Sequence, residues 1–172
     1  MKKLILFVIL FPLLTSVHKS ATSDSEYKIQ TLLIYNFTKY VKWNSPVNND
    51  FVIVVYGNSP ITNYFNQLKT AKQINGKPII VKTINPGEKV PPCELLYIDD
   101  SYVNQAENQF QKGTLSNILV ITNTTPIPLK ISCINLRNID DSYKFEINTT
   151  LTSIHNLEVS SSLLNLALKV YK

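Results

Sequence analysis

Four short apolar runs, FVIVVYG at 51–57, KPIIVKTI at 77–84, CELLYI at 93–98 and NILVITNT at 117–124, dominate the middle of the chain. Each is rich in β-branched residues and bounded by turn signals, the pattern of strands buried on both faces. Between them lie stretches with helical spacing. Ser59-Pro60 opens one, with Ser as cap and Pro at the first helical position, followed by Ile61, Tyr64, Phe65 and Leu68. A second is expected over 102–112, ended by Gly113. Strands alternating with helices require a largely parallel sheet covered on both faces.

The flanks modify that plan. ISCINLRNI and SYKFEIN enclose Asp140-Asp141, which reads as a hairpin connection. The tail, carrying Leu151, Ile154, Leu163, Leu164, Ala167, Leu168 and Tyr171, predicts a short helix, a loop near Asn156–Glu158 and a final helix. The N-terminal flank, YKIQTLLIYNFTKYVKW at 27–43, places Ile29, Leu33, Phe37, Tyr40 and Val41 at helical spacing. Ser23 to Glu26 spells a capping box before it, and Asn44-Ser45-Pro46 is a stop signal after Trp43. The expectation is an α/β chain: a single-domain mixed, mostly parallel sheet flanked by helices, with a C-terminal β-hairpin and helices.

Met1-Lys2-Lys3 followed by the apolar run Leu4–Leu14 and a polar stretch reads as an export leader over 1–21, too short for a permanent span. The folded domain then occupies 24–172 and is exported. Lys2, Lys3 and Lys19 leave with the leader, so 14 basic and 12 acidic residues remain and the formal charge falls from +5 to +2. Arg137 is the only arginine. A near-neutral, Lys-based surface argues against nucleic acid as a partner.

Catalytic spellings are scarce. After export His155 is the only histidine, on a polar turn where a surface position is expected, and no HExxH, CxxC or G-x-S-x-G frame is present. No metal, cofactor or enzymatic activity is therefore expected. Asp99-Asp100 at a strand end suits a helix cap more than a ligand site. The turn Gly57, Asn58 and Ser59 joins a strand to a helix N-terminus and is the candidate ligand-binding position, although the G-x-G-x-x-G and P-loop spellings are absent. Cys93 and Cys133 adjoin apolar strands, and buried free thiols are favoured over a disulfide.

The order of these segments, from YKIQTLLIYNFTKYVKW and FVIVVYGNSP through KPIIV, CELLYI, NILVIT, INL and FEIN to LEVSSSLLNLA, resembles the YfiR/HmsC-like periplasmic proteins over about 26–168. The resemblance implies a non-catalytic regulator that binds the sensor part of an inner-membrane diguanylate cyclase and restrains cyclic-di-GMP output and biofilm formation. It places the family's aromatic helix on Tyr35, Asn36, Phe37, Lys39, Tyr40 and Trp43. The closing motif falls on Leu157, Val159, Ser160, Ser161, Leu163, Leu164 and Ala167. Tyr35, Tyr40, Trp43, Leu157, Val159 and Leu163 are the candidates for partner binding. Where family members carry a Gly-Gly pair this chain has Ser132-Cys133, and Cys93 and Cys133 lack the usual disulfide partners. The alternative reading is a periplasmic small-ligand or nucleotide-binding module coupled to a sensor kinase or membrane receptor. A homodimer is left open.

Overall fold

The computed structural model describes residues 24–44, 49–110, 114–125 and 130–172. The leader at 1–21, the Ser23 cap, the Pro46 stop, Gly113 and the break at Pro126–Pro128 lie outside the described residues. The chain opens with α1 (Asp24–Phe37) and β1 (Val41–Trp43). An alternating unit follows: β2 (Phe51–Tyr56), α2 (Ile61–Ala71), β3 (Ile79–Ile84), β4 (Leu95–Ile98), a 3-10 turn (Asp100–Tyr102), α3 (Val103–Gln109) and β5 (Leu119–Thr122). The C-terminal part holds β6 (Ile134–Ile139), β7 (Ser142–Asn148), α4 (Thr149–Ile154), β8 (Leu157–Val159), α5 (Ser161–Leu166) and β9 (Lys169–Tyr171).

The main sheet has the order β3-β2-β4-β5-β6-β7-β9, and β1 and β8 form a separate pair. Pairing is parallel from β3 through β6, antiparallel between β6 and β7, and parallel again between β7 and β9. The mixed, mostly parallel sheet expected from the sequence is therefore what forms, with the β1–β8 pair beside it. Every residue of β2, β4 and β5 is buried, which is why these strands read as unbroken apolar runs. Side chains from Ile53, Tyr97, Leu119 and Ile121 lie in one core with Phe65, Ile34 and Phe37. Asn148 and Ser160 cap α4 and α5, their side-chain oxygens accepting from Leu151 N (3.0 Å) and Leu163 N (3.3 Å).

Five local expectations are corrected. The opening helix stops at Phe37, not Trp43. Thr38 Oγ1 donates to Tyr35 O (2.7 Å) and Tyr40 N to Phe37 O (2.9 Å), closing the last turn. Val41-Lys42-Trp43 then alternates buried, exposed, buried and pairs antiparallel with Leu157–Val159, where a loop was expected. The helix also presents a different face. Tyr27, Gln30, Thr31, Ile34 and Phe37 are buried, while Ile29 is 46% and Tyr40 41% exposed. The final helix is short and gives way to β9, because the outer edge of β7 needs partners for its backbone groups and Lys169-Val170-Tyr171 supplies them. His155 is buried and not on the surface.

Candidate functional site

In this strand order, β3 lies on one side of β2 and β4, β5 and β6 follow on the other. The switch falls between β2 and β4, and α/β sheets bind ligands outside the carboxyl ends of the strands near such a point. The turn after β2 sits there. Gly57 has φ +81°, and a Cβ on it would come within 2.5 Å of the Tyr102 ring. Ser59 is buried, and its hydroxyl donates to Asp99 Oδ2 (2.8 Å), which also accepts from Tyr27 Oη (3.1 Å). Asp99 Oδ1 accepts from Ser101 N (3.4 Å), the cap expected of it. Tyr102 and Asp99 thus close over this turn, and of Gly57, Asn58 and Ser59 only Asn58 is exposed.

Beside it a crevice of about 690 Å³ opens between the N-terminal half of α1, the ends of β4 and β5, and the β6–β7 hairpin. Its size is that of small-molecule sites. Gln30, 1% exposed, organises the wall. Gln30 Oε1 accepts from Tyr97 Oη (2.8 Å) and Asn123 Nδ2 (3.4 Å), and Nε2 donates to Tyr143 Oη (3.0 Å). Asn123 Oδ1 accepts from Asp100 N (2.7 Å), and Asn138 Nδ2 donates to Glu26 Oε1 (2.9 Å), tying strand end and hairpin to the helix. Burial pushes the Tyr97 phenol well above its ordinary range, so its hydroxyl stays a donor. The crevice residues carry five carboxylates, Glu26, Asp99, Asp100, Asp140 and Asp141, against the single guanidinium of Arg137. Among the described residues no three acidic, histidine or cysteine side chains converge as a metal site.

A second surface lies on the outer side of α1. Ile29, Leu32 (48%) and Tyr40 are exposed, and Leu33 and Tyr35 are half-buried. Lys39 Nζ stands 4.6 Å from the Tyr35 ring centre. Leu166 and Leu168 are 70% and 50% exposed on the C-terminal segment. Leu168 N donates to Phe145 O, and the Phe145 ring packs on Phe37 at the end of α1 (4.8 Å between centroids). Of the six sequence candidates for partner contact, Tyr40 is exposed and Tyr35 and Val159 half-buried, whereas Trp43, Leu157 and Leu163 are buried. Trp43 Nε1 donates to Glu94 O (2.9 Å), and its ring meets the Phe51 edge at 5.2 Å. Leu32 was not singled out from sequence. Its signal was present, because a helix with apolar residues on nearly every side leaves some outside.

The YfiR/HmsC-like family model matches residues 27–168. The chain belongs to the YfiR/HmsC-like family. No curated protein matches it.

Within this YfiR/HmsC-like domain both cysteines are free and buried, and burial pushes each thiol up to about 12. Cys133 Sγ lies 3.4 Å from His155 Nδ1, but that nitrogen is also 2.9 Å from Ile118 O. A carbonyl only accepts, so Nδ1 carries the proton and cannot take one from the thiol. Burial lowers the His155 pKa, favouring the neutral ring. The pair is a packing contact and not an activated nucleophile.

Proposed function

We propose that the mature chain is an exported, non-catalytic regulator that docks on the sensor part of an inner-membrane diguanylate cyclase and holds it in its inactive state. Membership of the YfiR/HmsC-like family over 27–168 is the observation that carries this reading. The physical support is the outer face of α1, where Ile29 and Leu32 stay exposed although the same helix buries five other residues, with exposed Tyr40 in the turn just after its end. Contiguous exposed apolar side chains mark contact surfaces, and aromatic residues are enriched at their centres. Among the described residues no helix is long and apolar enough to cross a membrane, so the reading assigns the membrane anchor to the partner.

Inhibition then works by population shift: the chain binds the partner's inactive conformation more tightly than its active one, and a signal that weakens the complex releases the enzyme. Leu32→Glu places a charge in the contact and leaves the fold intact, because that side chain meets solvent. Cells carrying it should show raised cyclic-di-GMP, as cells lacking the protein do, with the variant present at normal abundance. Unchanged cyclic-di-GMP in both strains would remove the cyclase as the target.

A further inference from the structure

We propose that the outer edge of β3 pairs antiparallel with β3 of a second copy of this chain, joining the two main sheets across a two-fold axis. β3 ends the strand order, and among the described residues its only strand partner is β2. All six of its residues, Ile79–Ile84, pair with β2 without a bulge, whereas β9 at the opposite edge is three residues long. Natural edge strands are commonly blunted by shortness, bulges or proline. The direction of the backbone groups shows that Pro78 does not blunt this one. Phe51 N donates to Pro78 O and Gly57 N to Ile84 O, each at 2.8 Å. Directions alternate along a strand, so the even-numbered residues, Pro78 included, turn their backbone groups toward β2. Ile79, Val81 and Thr83 turn theirs outward, and each has an N–H to donate.

A second copy fits because the edge is complementary to itself. A two-fold axis at Val81 sets the two Val81 residues opposite each other and Ile79 opposite Thr83 of the other copy. These are the residues whose backbone groups point out, so each pair exchanges N–H and C=O. The same register sets Ile80, 38% exposed, opposite exposed Lys82 of the other copy, whose aliphatic stem covers it. It also carries Lys77 alongside the Asn85–Glu88 turn of the other copy. There the Glu88 carboxylate accepts from Asn85 N (2.8 Å) and Nδ2 (3.0 Å), so opposite charges meet at both ends of the pairing. Moving the axis to Lys82 would set two lysines face to face, which selects Val81. The pairing is short, so the dimer is weak, with a Kd of about 1–100 µM. It uses no residue on the outer face of α1, and its failure would leave the cyclase reading untouched.

Sedimentation velocity of the mature, exported protein should show monomer passing to dimer between about 1 and about 500 µM. Thr83→Pro removes an outward N–H from an exposed residue and no bond to β2, so the melting temperature should hold while the dimer weakens by about tenfold or more. Ile80→Lys sets like charges opposite each other on both sides of the axis and should weaken the dimer about tenfold. Adding Lys82→Glu to Ile80→Lys should restore it, because positions 80 and 82 face each other in this register. Leu32→Glu on α1 should leave the dimer unchanged. A chain that stays monomeric throughout would overturn the proposal. So would a dimer indifferent to Thr83→Pro and Ile80→Lys, one that Lys82→Glu does not restore, or one that Leu32→Glu disrupts.

Discussion

Replacing Gln30 by leucine tests how α1 is seated. Apolar spacing alone would make Ile29 the docking residue and Gln30 a surface one, so Gln30→Leu would look harmless or stabilising. The structure reverses this. Gln30 is 1% exposed and serves Tyr97, Tyr143 and Asn123 at 2.8, 3.0 and 3.4 Å. Leucine has nearly the same length but leaves the fully buried Tyr97 hydroxyl without an acceptor. One buried orphan costs about 1–3 kcal/mol, and loss of the Tyr143 bond adds about 1 kcal/mol. The sum, about 2–4 kcal/mol, corresponds to a melting-temperature drop of about 5–10 °C in a domain of this size. Tyr97→Phe alone should cost about 1 kcal/mol. The double variant should be less destabilised than the two singles added, by about 1 kcal/mol or more, because removing both partners leaves fewer orphans. Ile29→Ser should change stability by no more than about 0.5 kcal/mol. Urea unfolding of the four proteins reads all of this. Additive single costs, or Ile29→Ser outweighing Gln30→Leu, would refute the seating described here.

Gly57→Ala combines a positive φ with a Cβ 2.5 Å from the Tyr102 ring, so it should destabilise by about 2–4 kcal/mol in the same assay; a change under about 0.5 kcal/mol would mean Tyr102 is free to move away. His155 should make stability pH-dependent. Its folded pKa lies below the ordinary 6.5, so the unfolded chain takes up the proton first and stability falls as pH drops through and below that value. A scan of melting temperature from pH 8 to pH 5, flatter in His155→Gln, checks the sign. Both thiols should react slowly with a disulfide reagent in the native protein and together on unfolding; fast native labelling of either would contradict their burial.

The long-range order of the sheet was legible because β2, β4 and β5 are buried on both faces and bounded by turn residues, so their apolar runs have no other use. The Asp140-Asp141 turn was equally plain, since each residue accepts positive φ. Where the reading failed, the deciding partner lay far away in sequence. Val41–Trp43 becomes a strand only because Leu157–Val159 arrives beside it, and Lys169–Tyr171 only because β7 has a free edge. Gln30 and Thr31 hid the buried face of α1, since a polar residue satisfied by tyrosines looks the same in sequence as a solvated one. The crevice was half-visible. Asp99-Asp100 and Asp140-Asp141 were each explained as cap and turn, correctly, but nothing in their spacing shows that the fold brings them to one opening.

The central claim, that this chain acts by touching a membrane-held signalling enzyme through the outer face of α1, is tested most directly by photo-crosslinking in living cells. A photoreactive residue at Leu32 should yield an adduct containing the inner-membrane cyclase, and the same residue at exposed Lys69 on α2 should not. Equal adducts from both positions, or none from position 32 while the protein still lowers cyclic-di-GMP, would contradict it.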